Sequence, residues 1–321
     1  MAVGWRDKQI ALALFDMFQL CFFNSFFLVV NRNGWSGLTY EHTPCDGYPI
    51  IGLMDHTMDE YLSDKSRAYQ DASGSINPPK RLDFELSFED SAVLERAGNR
   101  FDSVIEDIDL TVGGFEPFGK GFIKSAKLSP DSFCQLAIQL AFYKLHQFHP
   151  PTYETGLLRS FALGRTETIR LPTPESADFC EAFLTDKPAS DKLQLLKRAV
   201  GSHHEYAIAA STMNAIDRLF LGFRLLAEEQ GLPAPEILSS PGYRRMMHFN
   251  LSTSCAPTKH VQSQVFPPMN KDCYSVCYCP HEHTIDLMAC TFYSGGMEKS
   301  QKFLDTLRES FEQMKGTVEA A

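Results

Sequence analysis

The sequence has 321 residues, 30 Lys and Arg against 40 Asp and Glu, and a formal net charge of -10. Hydrophobic residues at 44% and 25 phenylalanines supply core for one large or two ordinary domains, which excludes extensive intrinsic disorder. So acidic a chain repels phosphate backbones at long range, which excludes nucleic acid as the main partner; any anionic ligand must be met by a local basic cluster. The nine cysteines, an odd number scattered through apolar stretches (Cys21, Cys134, Cys180, Cys290), read as buried free thiols rather than as a disulfide scaffold.

In chain order, Gln9 to Val30 is apolar, long enough to span a bilayer, and flanked by Arg6, Lys8 and Arg32. Asp16 would cost about 2.5 to 3.5 kcal/mol at a bilayer centre, which the surrounding Leu, Ile, Val and Phe side chains could offset. Composition therefore leaves open a membrane segment, an uncleaved signal, a buried element, or a surface made for a partner. Gly37 to His42 reads as a strand ending in the turn Pro44-Cys45-Asp46-Gly47, and Tyr48 to Tyr61 as a helix. Residues 63 to 80 are rich in Ser, Gly, Asp and Pro and mark a domain boundary, followed by an extended Phe84 to Phe88 and a helix over Glu89 to Asp107. A glycine-rich crossing is expected over Val112 to Phe122, then a helix opening at Ser129-Pro130-Asp131 and running to about Gln147. Two helices follow over Lys187 to Gly231. Met246 to Thr253, Cys273 to Cys279 and Thr284 to Tyr293 alternate as strands, and Glu298 to Met314 closes as an amphipathic helix. This is a mixed α/β chain without repeats, and the glycines near Gly113 to Gly121 lack the spacing of a phosphate loop or dinucleotide fingerprint.

Several residues carry chemistry on their own account. His42 precedes Asp46 by four residues across a tight turn, so the carboxylate can fold back onto one imidazole nitrogen and leave the other as a base. On spacing alone, His-x-x-x-Asp also describes an ordinary capped turn. Lys120, Lys124 and Lys127 concentrate positive charge just before the Ser129 helix start, a seat for phosphate or a solvated basic loop. Cys273, Cys277, Cys279, His281 and His283 match no standard zinc spacing, and no metal is expected there. Leu251 to Ser254 brings hydroxyls to the end of an apolar strand.

Taken in order, LTYEHTPCDG, FGKGFIKSAKLSPDSF, PTYETGLLRSFALGRTETIR, DRLFLG and MHFNLSTS resemble the choline/carnitine acyltransferase family over about Asn33 to Met314. The resemblance implies a chloramphenicol-acetyltransferase-like α/β fold, a mixed sheet flanked by helices, and transfer of an acyl group between coenzyme A and carnitine or choline. It implies His42 as general base, Asp46 as its orienting carboxylate and Ser254 as oxyanion donor. It implies a coenzyme A site made of Lys120 and of Lys124, Ser125, Ala126, Lys127, Leu128, Ser129, Pro130 and Asp131. Carnitine, unlike choline, carries a carboxylate; Arg218 then supplies the cation, Tyr153, Thr155, Thr166 and Ser252 the polar donors, and Phe266 an aromatic face for the trimethylammonium group. Thr166-Glu167-Thr168 resembles the carnitine branch, and the residues after His42 (CDGYPIIGLMDH) resemble acetyl-transferring more than palmitoyl-transferring members, which favours short acyl groups. Coenzyme A and acyl-coenzyme A are implied as substrates, with no resident cofactor. A mitochondrial or peroxisomal setting is implied too, although Glu319-Ala320-Ala321 is not a peroxisomal tripeptide.

The sequence departs from the family at Pro267-Pro268 and Cys273-Tyr274-Ser275, where glycines are usual, at His204 in place of an arginine, and at Cys255 in place of a glutamine. Residues 1–32 are expected to stand outside the family resemblance, 33–80 read as a remnant of a first domain carrying the histidine, and 81–321 as one complete C-terminal domain. The expectation is a chain lacking one wall of the acyl tunnel, with Gln9 to Val30 covering the exposed surface or meeting a membrane or partner, and with turnover poor or absent. The alternative to an enzyme is a module that binds coenzyme A without transfer.

Overall fold

The computed structural model describes residues 26–30, 36–63, 80, 83–260 and 264–321. Contacts divide them into two compact units, one of the residues up to Asp107 with Thr258–His260, the other beginning at Ile108. Most of the 63–80 stretch, on which the expected domain boundary falls, lies outside the described residues.

In the first unit, β1 (Phe26–Val30) pairs antiparallel with β2 (Ser36–Tyr40), Leu28 opposite Leu38. Of Gln9 to Val30 only these last five residues are described, and they form a strand; among the described residues no helix is long and apolar enough to cross a membrane. Helix α1 (Gly47–Ser63) follows the His42 turn, and Asp55 on it accepts from Thr258 Oγ1 at 2.7 Å and from the Lys259 and His260 amides. Asp59, one turn on, accepts from Lys259 Nζ at 2.9 Å and His260 Nε2 at 2.7 Å. The expected extended run Phe84 to Phe88 forms no strand. Its end is taken by the start of α2 (Phe88–Asp107), because Ser87 and Asp90 cap each other reciprocally, Ser87 Oγ to Asp90 Oδ2 at 2.7 Å and the Asp90 amide to Ser87 Oγ at 3.1 Å.

The second unit is built on a six-stranded mixed sheet in the order β3-β8-β7-β6-β4-β5. The chain runs β3 (Ile108–Phe115), α3 (Lys120–Ser125), α4 (Pro130–His146), β4 (Thr152–Leu157), β5 (Thr166–Leu171), α5 (Pro174–Phe183), α6 (Ala189–Ser211), α7 (Asp217–Glu229), α8 (Pro241–Met247), β6 (Leu251–Cys255), β7 (Tyr274–Pro280), β8 (Ile285–Phe292) and α9 (Ser300–Ala320). β6 runs parallel to both β4 and β7, and the remaining pairs are antiparallel. This is the expected α/β arrangement. Ser129 caps α4 by accepting the Ser132 amide, and Pro130 sits at its first position, where a missing N–H costs nothing. Ser132 to Phe142 are all buried, so α4 is the central helix of the core, and α9 lays Phe303, Leu307, Phe311 and Met314 beside it.

Two predicted elements are corrected. The glycine-rich crossing over Val112 to Phe122 is strand as far as Phe115 and helix from Lys120. Gly119 between them has no room for a Cβ, because the His281 carbonyl and the Thr284 amide lie against it. The strand predicted from Met246 starts only at Leu251, since Ser240 and Pro241 open a helix that runs through Met247. The β4/β5 pair and α5 were not foreseen.

The register sorts the sheet into two faces. Phe115, Ile285, Leu287, Ala289, Tyr274, Val276, Tyr278 and Leu251 belong to the core cluster shared with α4, α6 and α9, which makes theirs the helix-covered face. Side chains alternate along a strand. Ser252, Ser254, Tyr153, Thr155, Thr166 and Thr168 therefore share the opposite face, Tyr153 level with Ser252 and Thr155 with Thr168.

Candidate active site

In the first unit, β2 ends at Tyr40 and delivers His42 into the bend before α1. His42 Nδ1 lies 3.9 Å from Asp46 Oδ1, with side chains 62% and 16% exposed. This is ion-pair range rather than a hydrogen bond, and it aims the carboxylate at Nδ1. The Tyr40 ring packs against the imidazole at 5.6 Å between centroids.

In the second unit, β4, β5 and β6 bring the expected acceptor residues onto one face. Tyr153 OH receives Thr155 Oγ1 at 3.4 Å, and Thr253 Oγ1 bonds the Tyr153 carbonyl at 2.9 Å, tying β6 to β4. Arg218, in the first turn of α7, donates through Nε to the Thr166 carbonyl at 2.6 Å and through Nη2 to Thr166 Oγ1 at 3.3 Å, while its amide donates to Glu167 Oε2 at 3.1 Å. The preceding residue, Asp217, holds α7 to β5 by a bidentate pair with Arg170 at 2.6 and 2.7 Å. Phe266 is half-buried, and its carbonyl accepts from Ser275 Oγ at 2.6 Å.

The expected coenzyme A segment is split. Lys120 and Lys124 lie on the short helix α3, joined to the β7–β8 turn by the Lys120 amide to the His281 carbonyl at 2.8 Å and the Gly121 amide to the Glu282 carbonyl at 3.0 Å. Ser125 ends that helix and donates to the Phe122 carbonyl. Ala126, Lys127, Leu128 and Ser129 line an open groove of about 640 Å³ whose other wall is α6, with Lys197, Val200, Gly201 and His204. Lys127 adopts a left-handed φ of 59° at the α3–α4 corner. Lys197 escaped the sequence reading; the signal was the helical spacing 197-200-201-204, which sets a second cation and His204 on one stripe.

Pro130 and Asp131 lie beyond the groove lining. Asp131 instead accepts from Tyr278 OH at 2.6 Å and forms a trio with the buried Glu154 and His203, the ligand-type atoms of all three lying within 4.8 Å of one another. His203 has both ring nitrogens engaged, Nδ1 with Ser132 Oγ at 2.9 Å and Nε2 with Glu154 Oε2 at 2.7 Å, so a metal ion would have to displace existing hydrogen bonds. Burial pushes the Glu154 carboxyl up to about 7; the His203 charge opposes this and Asp131 reinforces it. For His203 burial disfavours the cation, but the charge and hydrogen bond of Glu154 together with the Asp131 charge outweigh it, and the net direction is upward. Burial pushes the Cys273 thiol up to about 11 and the Cys277 thiol up to about 12. His281 pairs with Asp286 at 2.8 Å.

The Choline/Carnitine o-acyltransferase family profile matches residues 14–309. The chain belongs to this family. It is 37% identical to carnitine O-acetyltransferase of Columba livia over 294 residues, 91% of this chain and 47% of that protein. It is 36% identical to choline O-acetyltransferase of Sus scrofa over 293 residues, 90% of this chain and 46% of that protein. The chain thus spans just under half the length of these relatives. Against a solved chloramphenicol acetyltransferase the TM-score is 0.36 at 10% identity, over 65% of this chain and 88% of that one; the fold assignment rests on the sheet described above.

Proposed function

We propose that the chain serves reversible transfer of a short acyl group between coenzyme A and carnitine. The observation that carries this reading is the gathering of Tyr153, Thr155, Thr166, Ser252 and Ser254 on one face of the sheet, with the Arg218 guanidinium bonded at Thr166. Such a face offers neutral donors and, besides the Asp217-paired Arg170, the Arg218 guanidinium to a small hydroxylated carboxylate, which suits carnitine and leaves choline without a partner for that guanidinium. The cation-lined groove between Ala126–Ser129 and α6 supports a nucleotide-bearing cosubstrate, with Lys120 and Lys124 adding positive charge on α3.

In this reaction Asp46 faces Nδ1 of His42, and Nε2 takes the proton from the carnitine hydroxyl as its oxygen attacks the thioester carbonyl. Ser254 donates to the oxyanion of the tetrahedral intermediate. Collapse breaks the carbon–sulfur bond, and the imidazolium returns its proton to the departing coenzyme A thiolate. No covalent acyl-enzyme is required and coenzyme A is a substrate, not a resident cofactor. A mitochondrial or peroxisomal setting follows from the same family resemblance.

The test is thiol release from acetyl-coenzyme A by the purified protein, with carnitine, with choline and with neither. Release that depends on carnitine, exceeds that with choline and falls at least roughly 100-fold in His42→Ala, with coenzyme A affinity retained, is the expected result. Coenzyme A binding without acceptor-dependent release would make the chain a binding module and overturn the proposal.

A further inference from the structure

A largely buried polar network in the second unit lies behind the acceptor face, on the side of the sheet covered by helices. It runs from Ser132 Oγ to His203 Nδ1 at 2.9 Å, from His203 Nε2 to Glu154 Oε2 at 2.7 Å, and from Glu154 to the Asp131 carboxyl, which Tyr278 OH also reaches at 2.6 Å. Gln135 Nε2 continues it to Tyr278 OH at 3.0 Å and to Thr253 Oγ1 at 2.9 Å. Glu154 is 3% and His203 1% exposed. In a low-dielectric interior a small displacement of one member of such a network is felt by the rest.

The members are sequence neighbours of the substrate-site residues. Glu154 lies between Tyr153 and Thr155 on β4. Thr253 lies between Ser252 and Ser254 on β6. Asp131 follows the groove-lining Ala126–Ser129, and His203 adjoins the groove-lining His204. Because strand side chains alternate, a shift of Glu154 on the covered face moves the backbone that carries Tyr153 and Thr155 on the other. The groove walls belong to α6 and to the corner that starts α4. A ligand drawing them together changes the seating of His203 against Ser132 and Glu154.

We infer that Glu154 and His203 are positioning residues that couple occupation of the nucleotide groove to the placement of the acceptor residues on β4 and β6. The inference rests on the proposed transferase reading. It makes binding of coenzyme A and carnitine mutually dependent, and coupling between two ligands is reciprocal: each changes the other's affinity by the same factor. A network that only stabilised the fold would alter both affinities and leave that factor untouched.

The experiment is calorimetric titration of free coenzyme A into the full chain with and without saturating carnitine, and the reverse titration. In the unmodified protein carnitine is expected to tighten coenzyme A about fivefold, at the low end of typical coupling. In Glu154→Gln and His203→Asn the factor is expected to fall below about twofold in both directions. Should these variants unfold, Ser132→Ala, which removes one hydrogen bond at His203 Nδ1, is expected to give an intermediate factor. Tight coenzyme A binding with no coupling in the unmodified protein, or coupling unchanged in folded variants, overturns the inference alone. No coenzyme A binding by the unmodified protein overturns the transferase reading and this inference with it.

Discussion

Removing one partner of the Arg170–Asp217 pair provides a sharp test of how α7 and its Arg218 are held. Arg170 sits on β5 opposite Tyr153, with Nε and Nη2 on the two Asp217 oxygens at 2.7 and 2.6 Å and Nη1 on the Met246 carbonyl at 2.8 Å. The guanidinium carbon lies 5.0 Å from the Phe249 ring centroid, and the two side chains are only 10% and 8% exposed. Asp217→Ala leaves a nearly buried cation without its counter-ion, which costs about 3 to 5 kcal/mol. In a unit of this size each kcal/mol moves the melting temperature by roughly 2 to 4 °C, so a fall of about 6 to 20 °C is expected. Thermal unfolding followed by circular dichroism at low and high salt measures it, and the loss should barely depend on salt because so little of the pair is open to screening ions. The double variant Arg170→Met with Asp217→Leu should recover much of the loss, since an apolar pair carries no desolvation cost. A fall below about 2 °C, or a double variant no more stable than the single one, would refute the account of α7 as anchored by this pair.

Three further outcomes are expected. Arg218→Asn removes a charge-assisted contact worth about 1.5 to 3 kcal/mol and should raise the KM for carnitine roughly ten- to hundredfold while sparing choline; equal losses for both acceptors would make Arg218 structural. Lys120→Ala combined with Lys124→Ala should weaken coenzyme A binding and flatten its salt dependence, with dephospho-coenzyme A much less affected, and calorimetry without that preference would reject a phosphate contact on α3. The Asp286 hydrogen bond, with a further one from Cys279, lifts His281 to about 10, above its ordinary 6.5. Its contribution is therefore complete below about pH 6.5 and lost as pH rises through 10, so His281→Ala should cost more in urea unfolding at pH 6 than at pH 10.5, and a pH-independent difference would contradict it.

What could be read from the sequence was what is local. The start of α4 follows from Ser129-Pro130-Asp131 because capping and the proline's missing donor act within one turn, and the His42–Asp46 approach follows from a four-residue turn. The strands β7 and β8 were legible because their residues alternate along Cys273 to Cys279 and Thr284 to Tyr293, the period of a strand. The β4/β5 pair was not, because Glu154, Glu167 and Arg170 break up the apolar pattern of a buried strand. Their partners lie far along the chain: Glu154 with His203, Arg170 with Asp217 47 residues on, and Glu167 with the Arg218 amide 51 residues on. A charge looks exposed until its counter-charge is located.

The same separation explains the site. The hydroxyls of Tyr153 and Ser252 become neighbours only because β4 and β6 pair in parallel, a register set by burial of Thr152 and Leu251 on the covered face and invisible to any local pattern. Strand alternation then forces the residues between the site hydroxyls into the core. Glu154 and Thr253, polar themselves, need His203 and Gln135 from the helices opposite. Polar groups buried behind a polar face must be satisfied by the layer that buries them, so the residues that shape the acceptor face include some that never reach it.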